Sequence, residues 1–183
     1  MRHLLPESEE YLEYLEDDER QRRTLDDRFL REPIAVLQPA NPVCAERGTS
    51  VGDVVRQMQE HHIGCVLVTG PDGKLEGIFT ERDLLSKVAL QPIDWKKERV
   101  EDYMTPEPET LRLDDHVAWA LKLMHVGGYR HVPLTDADGR PVGVVSIRDI
   151  VEFIIDLFPA PVLNLPPEPR REASSDEAGG GTD

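Results

Sequence analysis

Apolar positions follow two rhythms along this chain, and the same order of rhythms occurs twice. Val51, Val54, Val55 and Met58 recur at i, i+3, i+4 and i+7, which predicts one buried face of a helix, opened at Ser50 with Asp53 as a short capping-box partner. Cys65-Val66-Leu67-Val68-Thr69 is a continuous apolar run of strand length, Pro71-Asp72-Gly73-Lys74 reads as a hairpin turn, and Leu75 to Phe79 is the returning strand. A helix from Glu81 to about Leu90 follows, with Leu84, Leu85 and Val88 on one side. Val117, Ala120, Leu121 and Met124 then repeat the helix face, and His131 to Thr135 the strand. Asp136-Ala137-Asp138-Gly139 repeats the turn and Pro141 to Val145 the return, ahead of a helix carrying Ile150, Val151, Phe153, Ile154 and Ile155.

Sliding residues 42–85 over 108–151 without a gap, an offset of 66, gives ten identities in forty-four positions. They are Pro42/Pro108, Val51/Val117, Met58/Met124, Val66/Val132, Thr69/Thr135, Asp72/Asp138, Gly73/Gly139, Gly77/Gly143, Arg82/Arg148 and Asp83/Asp149. One β-α-β-β-α unit is therefore written twice. Neither copy buries both faces of so small a sheet, so the expected fold is α/β (α+β), two units packed about a pseudo-twofold axis. The expected divisions are an acidic helical extension over 1–33, repeat 1 with its linker over 34–99, repeat 2 over 100–159, and an extended, mostly disordered tail over 160–183.

Charge narrows the function. The 183 residues carry a formal net charge of −15, which opposes a general attraction to nucleic-acid phosphate or to an anionic membrane. Any anion must be held locally, by a few arginines and helix ends. No apolar run approaches the roughly 20 residues of a bilayer span and the first residues lack a signal-peptide core, so a cytoplasmic protein is expected. The two cysteines, Cys44 and Cys65, make no metal or redox motif. No nucleophile–base pair, P-loop or metal cluster is legible, so an enzyme is not expected and no catalytic cofactor is implied.

The chemistry concentrates where each hairpin ends. Gly77-Ile78-Phe79-Thr80-Glu81-Arg82-Asp83 returns as Gly143-Val144-Val145-Ser146-Ile147-Arg148-Asp149. A hydroxyl followed three residues later by an acid is itself a capping box, a sufficient structural reason for both motifs. Capping does not require the arginine before each Asp, nor the glycine three residues before each hydroxyl. A carboxylate can instead accept both hydrogen bonds of a ribose cis-diol, while a hydroxyl, helix-start N–H groups and Arg can hold phosphate.

The doubled unit, the Asp-Gly hairpin and the Gly-x-x-[Ser/Thr]-x-Arg-Asp ending resemble the cystathionine-β-synthase (CBS) domain family, as a tandem pair often called a Bateman module, over roughly residues 34–158. The resemblance implies clefts that bind adenosine nucleotides (AMP, ADP or ATP). It implies ribose contacts from Asp83 and Asp149, and ribose or phosphate contacts from Thr80 and Ser146. Adenine would be read by backbone near Val43-Cys44 and Glu109-Thr110, and phosphate by Arg130 and His131, where repeat 1 has Gly64 and Cys65. Arg82 and Arg148 complete the candidate set. The family also implies a homodimer and a regulated protein partner. The alternative is a ligand-free structural or protein-interaction module that keeps the fold and has lost the ligand.

Overall fold

The computed structural model describes residues 28–157; residues 1–27 of the acidic helical extension expected over 1–33, and the tail expected over 160–183, lie outside them. The expected β-α-β-β-α order is present. Repeat 1 contains strand β1 (Cys44–Glu46), helix α1 (Val51–His61), and strands β2 (Cys65–Thr69) and β3 (Leu75–Thr80). It closes with helix α2, an α-turn at Glu81–Asp83 that widens into π geometry over Leu84–Val88. Repeat 2 contains strand β4 (Thr105–Pro106), helix α3 (Val117–Gly127), strands β5 (His131–Thr135) and β6 (Pro141–Ser146), and helix α4 (Ile147–Leu157).

Local chemistry accounts for these boundaries. Ser50 caps α1 by accepting from Asp53 N at 3.1 Å, and α1 ends on His62 in a left-handed conformation, φ 53°, where the equivalent position of repeat 2 is Gly128, φ 66°. Both hairpins turn on a glycine with positive φ, Gly73 and Gly139. Repeat 2 departs from the pattern at its first strand, which survives only as a bridge between Leu111 and Leu134. The matching contact in repeat 1 is the Ala45–Val68 pair of the parallel β1–β2 ladder.

The two repeats exchange their leading peptides. β3 pairs with β4, so the opening segment of repeat 2 adds the fourth strand to the sheet of repeat 1. In return Ala40, in the opening segment of repeat 1, bridges to Val144 on β6. The anchoring hydrogen bonds repeat at the same offset. Val51 N donates to Glu98 O at 2.9 Å and Val117 N to Glu32 O at 2.9 Å; Val100 N donates to Thr49 O at 3.0 Å and Ile34 N to Asp115 O at 2.8 Å. Side chains follow the backbone. Val100 and Met104 are buried in a core with Val51, Val54, Val66 and Phe79, whereas Ile34 and Leu37 are buried with Val117, Ala120, Leu134 and Ile150. The packing units are thus offset from the sequence repeats. A third small cluster, Cys65, Leu67 and Ile78 with Val144 against it, lies on the other face of the hairpin.

The extension enters only at its end. Residues 28–31 are helical, and Phe29 stacks on Phe153 of α4 with centroids 5.2 Å apart and planes 17° from parallel.

Ile34→Ala tests the exchange, because Ile34 opens repeat 1 yet fills the core of repeat 2 at 0% exposure. Emptying that site is expected to lower the unfolding free energy by about 2–5 kcal/mol, measured by urea unfolding with an unchanged m value. A loss below about 1 kcal/mol would contradict the exchange.

Candidate functional site: the cleft between the repeats

A cavity of about 640 Å³ opens where the end of β3 meets the lead of repeat 2 and the start of β5. Six sequence-chosen residues line it: Gly64, Thr80, Arg82, Asp83, Arg130 and His131. The basic pair of repeat 2 thus faces the hydroxyl–acid motif of repeat 1. Ser146, Arg148 and Asp149 end β6 and begin α4 at the equivalent position, outside this cavity. Arg148 is turned to solvent, paired with Glu152 at 2.7 Å. Val43 packs against the core of repeat 1, Cys44 begins β1 on an exposed edge, and Thr110 is exposed beside Glu109, which does line the cavity.

Both motifs make the capping interactions that their spacing requires. Asp83 N donates to Thr80 Oγ1 at 3.2 Å, and Asp83 Oδ2 accepts from Thr80 N at 3.0 Å and from Thr80 Oγ1 at 2.7 Å. In repeat 2, Asp149 Oδ2 accepts from Ser146 N at 2.6 Å and Asp149 N donates to Ser146 Oγ at 3.3 Å. Helix-start amides are also engaged, against the expectation that they stand free for phosphate: Glu81 N donates to Gly64 O and Ile147 N to Arg130 O. The reason is the tight packing of each helix start against the loop entering the central strand.

The two carboxylates then diverge. Asp83 is 5% exposed, and its Oδ1 accepts from Lys87 Nζ at 2.7 Å and from Thr105 Oγ1 at 3.1 Å. Lys87 also donates to Tyr103 O and Met104 O, at 2.9 and 3.1 Å. Burial works to raise the Asp83 pKa, but hydrogen bonds from Lys87 and Thr80, with the Lys87 charge, outweigh it and hold the carboxyl below its ordinary value. Asp149 is only half-buried, and its Oδ1 has no hydrogen-bond partner among the described residues. At the offset of 66, Lys87 corresponds to Phe153 and Thr105 to Pro39, neither of which can donate a side-chain hydrogen bond.

A second asymmetry concerns the backbone. In repeat 1 the Val43 carbonyl is used by Leu67 N at 3.0 Å. The equivalent donor in repeat 2 would be residue 133, a proline without an N–H. Glu109 O, the counterpart of Val43 O, consequently accepts no hydrogen bond among the described residues, and Glu109 lines the cavity with Pro108 and Pro133.

His131 lies partly buried on the same wall. Burial lowers its pKa below 6.5 and outweighs the opposing pull of Glu81 and Asp149, so the ring is neutral at pH 7. A Cβ on Gly64 would come within 2.9 Å of His131 Cε1, so the absent side chain is what lets the imidazole lie there. Cys65 beside it is buried and its thiol is pushed up to about 12, by burial first and by Glu81 second. It packs as an inert apolar residue. Among the described residues, no three His, Cys, Asp or Glu side chains converge on a metal position, and no helix is long and apolar enough to cross a membrane.

The family model described as "CBS domain" matches residues 36–90 and 100–156, both repeats. The chain belongs to the CBS-domain family. It is 32% identical over 108 residues to an uncharacterised 17.7 kDa protein of Acidianus ambivalens, covering 59% of this chain and 64% of that one. It is 33% identical over 134 residues to a CBS domain-containing protein of Arabidopsis thaliana, covering 72% of this chain and 24% of the plant protein. The chain therefore spans less than two thirds of either relative. A crystal structure of a CBS-domain containing protein from Agrobacterium tumefaciens superposes with a TM-score of 0.60 at 32% identity, over 67% of this chain and 96% of that one. Two further CBS pairs share the fold, each at a TM-score of 0.60. CBSX2, solved in complex with AMP, is 23% identical, covering 69% of this chain and 98% of that one. The pair of protein MJ0100, solved with 5′-methylthioadenosine and S-adenosyl-L-methionine, is 24% identical, covering 67% and 98%.

Sequence reading missed Lys87, Thr105 and Tyr129, and it named the backbone at Glu109 for adenine without seeing that its carbonyl lacks the partner that Val43 O has. The signal for Lys87 was present, since it stands four residues after Asp83 on one helix face. The signal for Glu109 was Pro133, which removes a ladder donor from a strand.

Asp83 yields a pH prediction. A carboxyl held below its ordinary value of 3.8 contributes stability that is present above that value and lost as pH falls through the depressed one. Wild type is expected to lose more Tm than Asp83→Asn between pH 5 and 3, and Asp83→Asn to be less stable at pH 7 by about 1–3 kcal/mol. Parallel acid slopes in the two proteins would contradict the assignment.

Proposed function

We propose that this CBS pair is a ligand-sensing regulatory module that binds one adenosine nucleotide per chain, a monophosphate in preference to a triphosphate, in the cavity between the repeats. The observation that carries the reading is the make-up of the lining: Glu109, whose carbonyl has no hydrogen-bond partner among the described residues, together with Pro106, Pro108 and Pro133, and with Arg82, Arg130 and His131. The carbonyl can accept from an adenine amino group, Pro106, Pro108 and Pro133 offer apolar surface to the base, and the arginines can hold phosphate. About 640 Å³ lies within the roughly 300–1,000 Å³ usual for small-ligand pockets. Related pairs solved with AMP, and with methylthioadenosine and S-adenosylmethionine, support this ligand class.

Charge sets the preference among nucleotides. Asp83 and Lys87 neutralise each other, leaving Glu81, Glu107 and Glu109 against Arg82 and Arg130 on the lining. A wall with that balance in a chain of net charge −15 tolerates two phosphate charges better than four. The equivalent half around Asp149 offers Gly64 and Cys65 in place of Arg130 and His131, and a carbonyl already in use, which is why one site is expected.

Occupancy would be passed on by ordering the cavity rim and biasing association with a second copy or a regulated protein. Trp119, Val126, Val151 and Ile154 expose 49%, 76%, 48% and 40% of their surface on α3 and α4, apolar area that supports a homodimer. One observation favours the rival reading of a ligand-free interaction module: the acceptor sites of Asp83 are filled by the protein itself.

Calorimetry and thermal shift decide between them. AMP is expected to bind with a stoichiometry near one and more tightly than ATP in metal-free buffer, and to add about 2.7 kcal/mol of apparent stability at a hundredfold its Kd. Arg130→Ala is expected to weaken AMP about 10- to 100-fold, the effect of a lost charge-assisted contact of about 1.5–3 kcal/mol. No response to AMP, ADP or ATP would leave the interaction module standing.

A further inference from the structure

Ribose recognition by a carboxylate needs spare acceptor capacity, and the two motifs differ most in that respect. A carboxylate has about four lone-pair sites. Those of Asp83 are taken by Thr80 N, Thr80 Oγ1, Thr105 Oγ1 and Lys87 Nζ at 2.7–3.1 Å. The clip closes on both sides, since the three donors of the Lys87 ammonium go to Asp83 Oδ1, Tyr103 O and Met104 O. A diol reaching Asp83 would have to displace a protein donor from a carboxylate that is 5% exposed.

We propose that Lys87 is the specificity-determining residue of this cavity: by occupying Asp83 it makes the site read the base and the phosphate of its ligand and not the 2′,3′-diol. The inference rests on the nucleotide reading of the cavity given above and deepens it. The cavity accepts 2′-deoxy and 2′,3′-dideoxy nucleotides as readily as ribonucleotides. Asp149, with Phe153 and Pro39 at the positions equivalent to Lys87 and Thr105 and no partner for its Oδ1 among the described residues, is the carboxylate of the two motifs that keeps capacity for a sugar.

The test uses the full chain carrying Asp149→Asn, so that the second motif contributes no diol contact, and titrates AMP and 2′-deoxy-AMP. With Lys87 intact the two dissociation constants are expected to agree within about twofold. Lys87→Met in the same chain frees one lone-pair site on Asp83 Oδ1, removes the neighbouring charge, and is expected to bring a ribose preference of about tenfold, the scale of one charge-assisted hydrogen bond. Thr105→Val frees a single lone-pair site without removing charge and is expected to give a smaller preference; it replaces the Lys87 variant if that variant fails to fold. A tenfold preference for AMP with Lys87 and Thr105 intact overturns the proposal, and so does the absence of any preference in a folded variant. Titration of the Asp83 carboxyl by NMR in the ligand-free chain keeps the two failures apart. If no AMP binds, the nucleotide reading falls and takes this inference with it, even where Lys87→Met raises the Asp83 titration. If AMP binds and that titration does not move, Lys87 does not hold Asp83 and the inference alone falls.

Discussion

Each repeat is completed by the peptide that leads into the other. A unit of two or three short strands and two helices leaves one sheet edge and one core face unfilled, and an open edge and an open core are both costly. Here the same turn of chain supplies both remedies: the residues that hydrogen-bond to the edge also place Ile34 and Leu37, or Val100 and Met104, in the opposite core. The cleft follows from this arrangement. Because the lead of repeat 2 crosses to β3, Thr105 and Pro106 are brought against Thr80 and Asp83, and the residues just after them form the wall that faces Arg130.

Duplication supplies two equivalent positions, and a few side chains decide how different they become. Lys87 against Phe153, Thr105 against Pro39, Pro133 against Leu67 and Arg130 against Gly64 are all pairs at the offset of 66. Each acts by one elementary property, the presence of a donor, a charge or an N–H. The first half collects cations and a free carbonyl while its carboxylate is consumed; the second keeps a carboxylate with spare capacity and loses the rest. The widened α2, with Ala89 N bonded to Leu84 O, lies directly after the engaged motif, and no counterpart is seen in α4.

Much of this was legible in the sequence, for definable reasons. Periodicity and the ten identities between the repeats located the elements, the hairpin glycines and the capping boxes, since all of these depend on neighbours a few residues apart. The exchange of leads was not legible, because Ile34 and Val100 look like ordinary entries to the units they open and only three-dimensional pairing reveals which core they fill. The site was half legible. Thr80, Asp83, Arg82, Arg130 and His131 do share a cavity, but their spacing could not show that Asp83 already had four partners, one of them from a segment twenty-two residues away. Gly64 carried a different message from the one read into it: beyond lacking a cation, it makes room for His131.

The exchanged leads also limit how such a module can move. Swinging the repeats apart would strip a strand from one sheet and pull buried isoleucine and leucine from a core at the same moment, so a hinge at this join has no cheap open state. Any message that leaves the cleft would have to pass through its rim, the stretch around Tyr129 and the over-wide helix after Asp83, with the two repeats still joined.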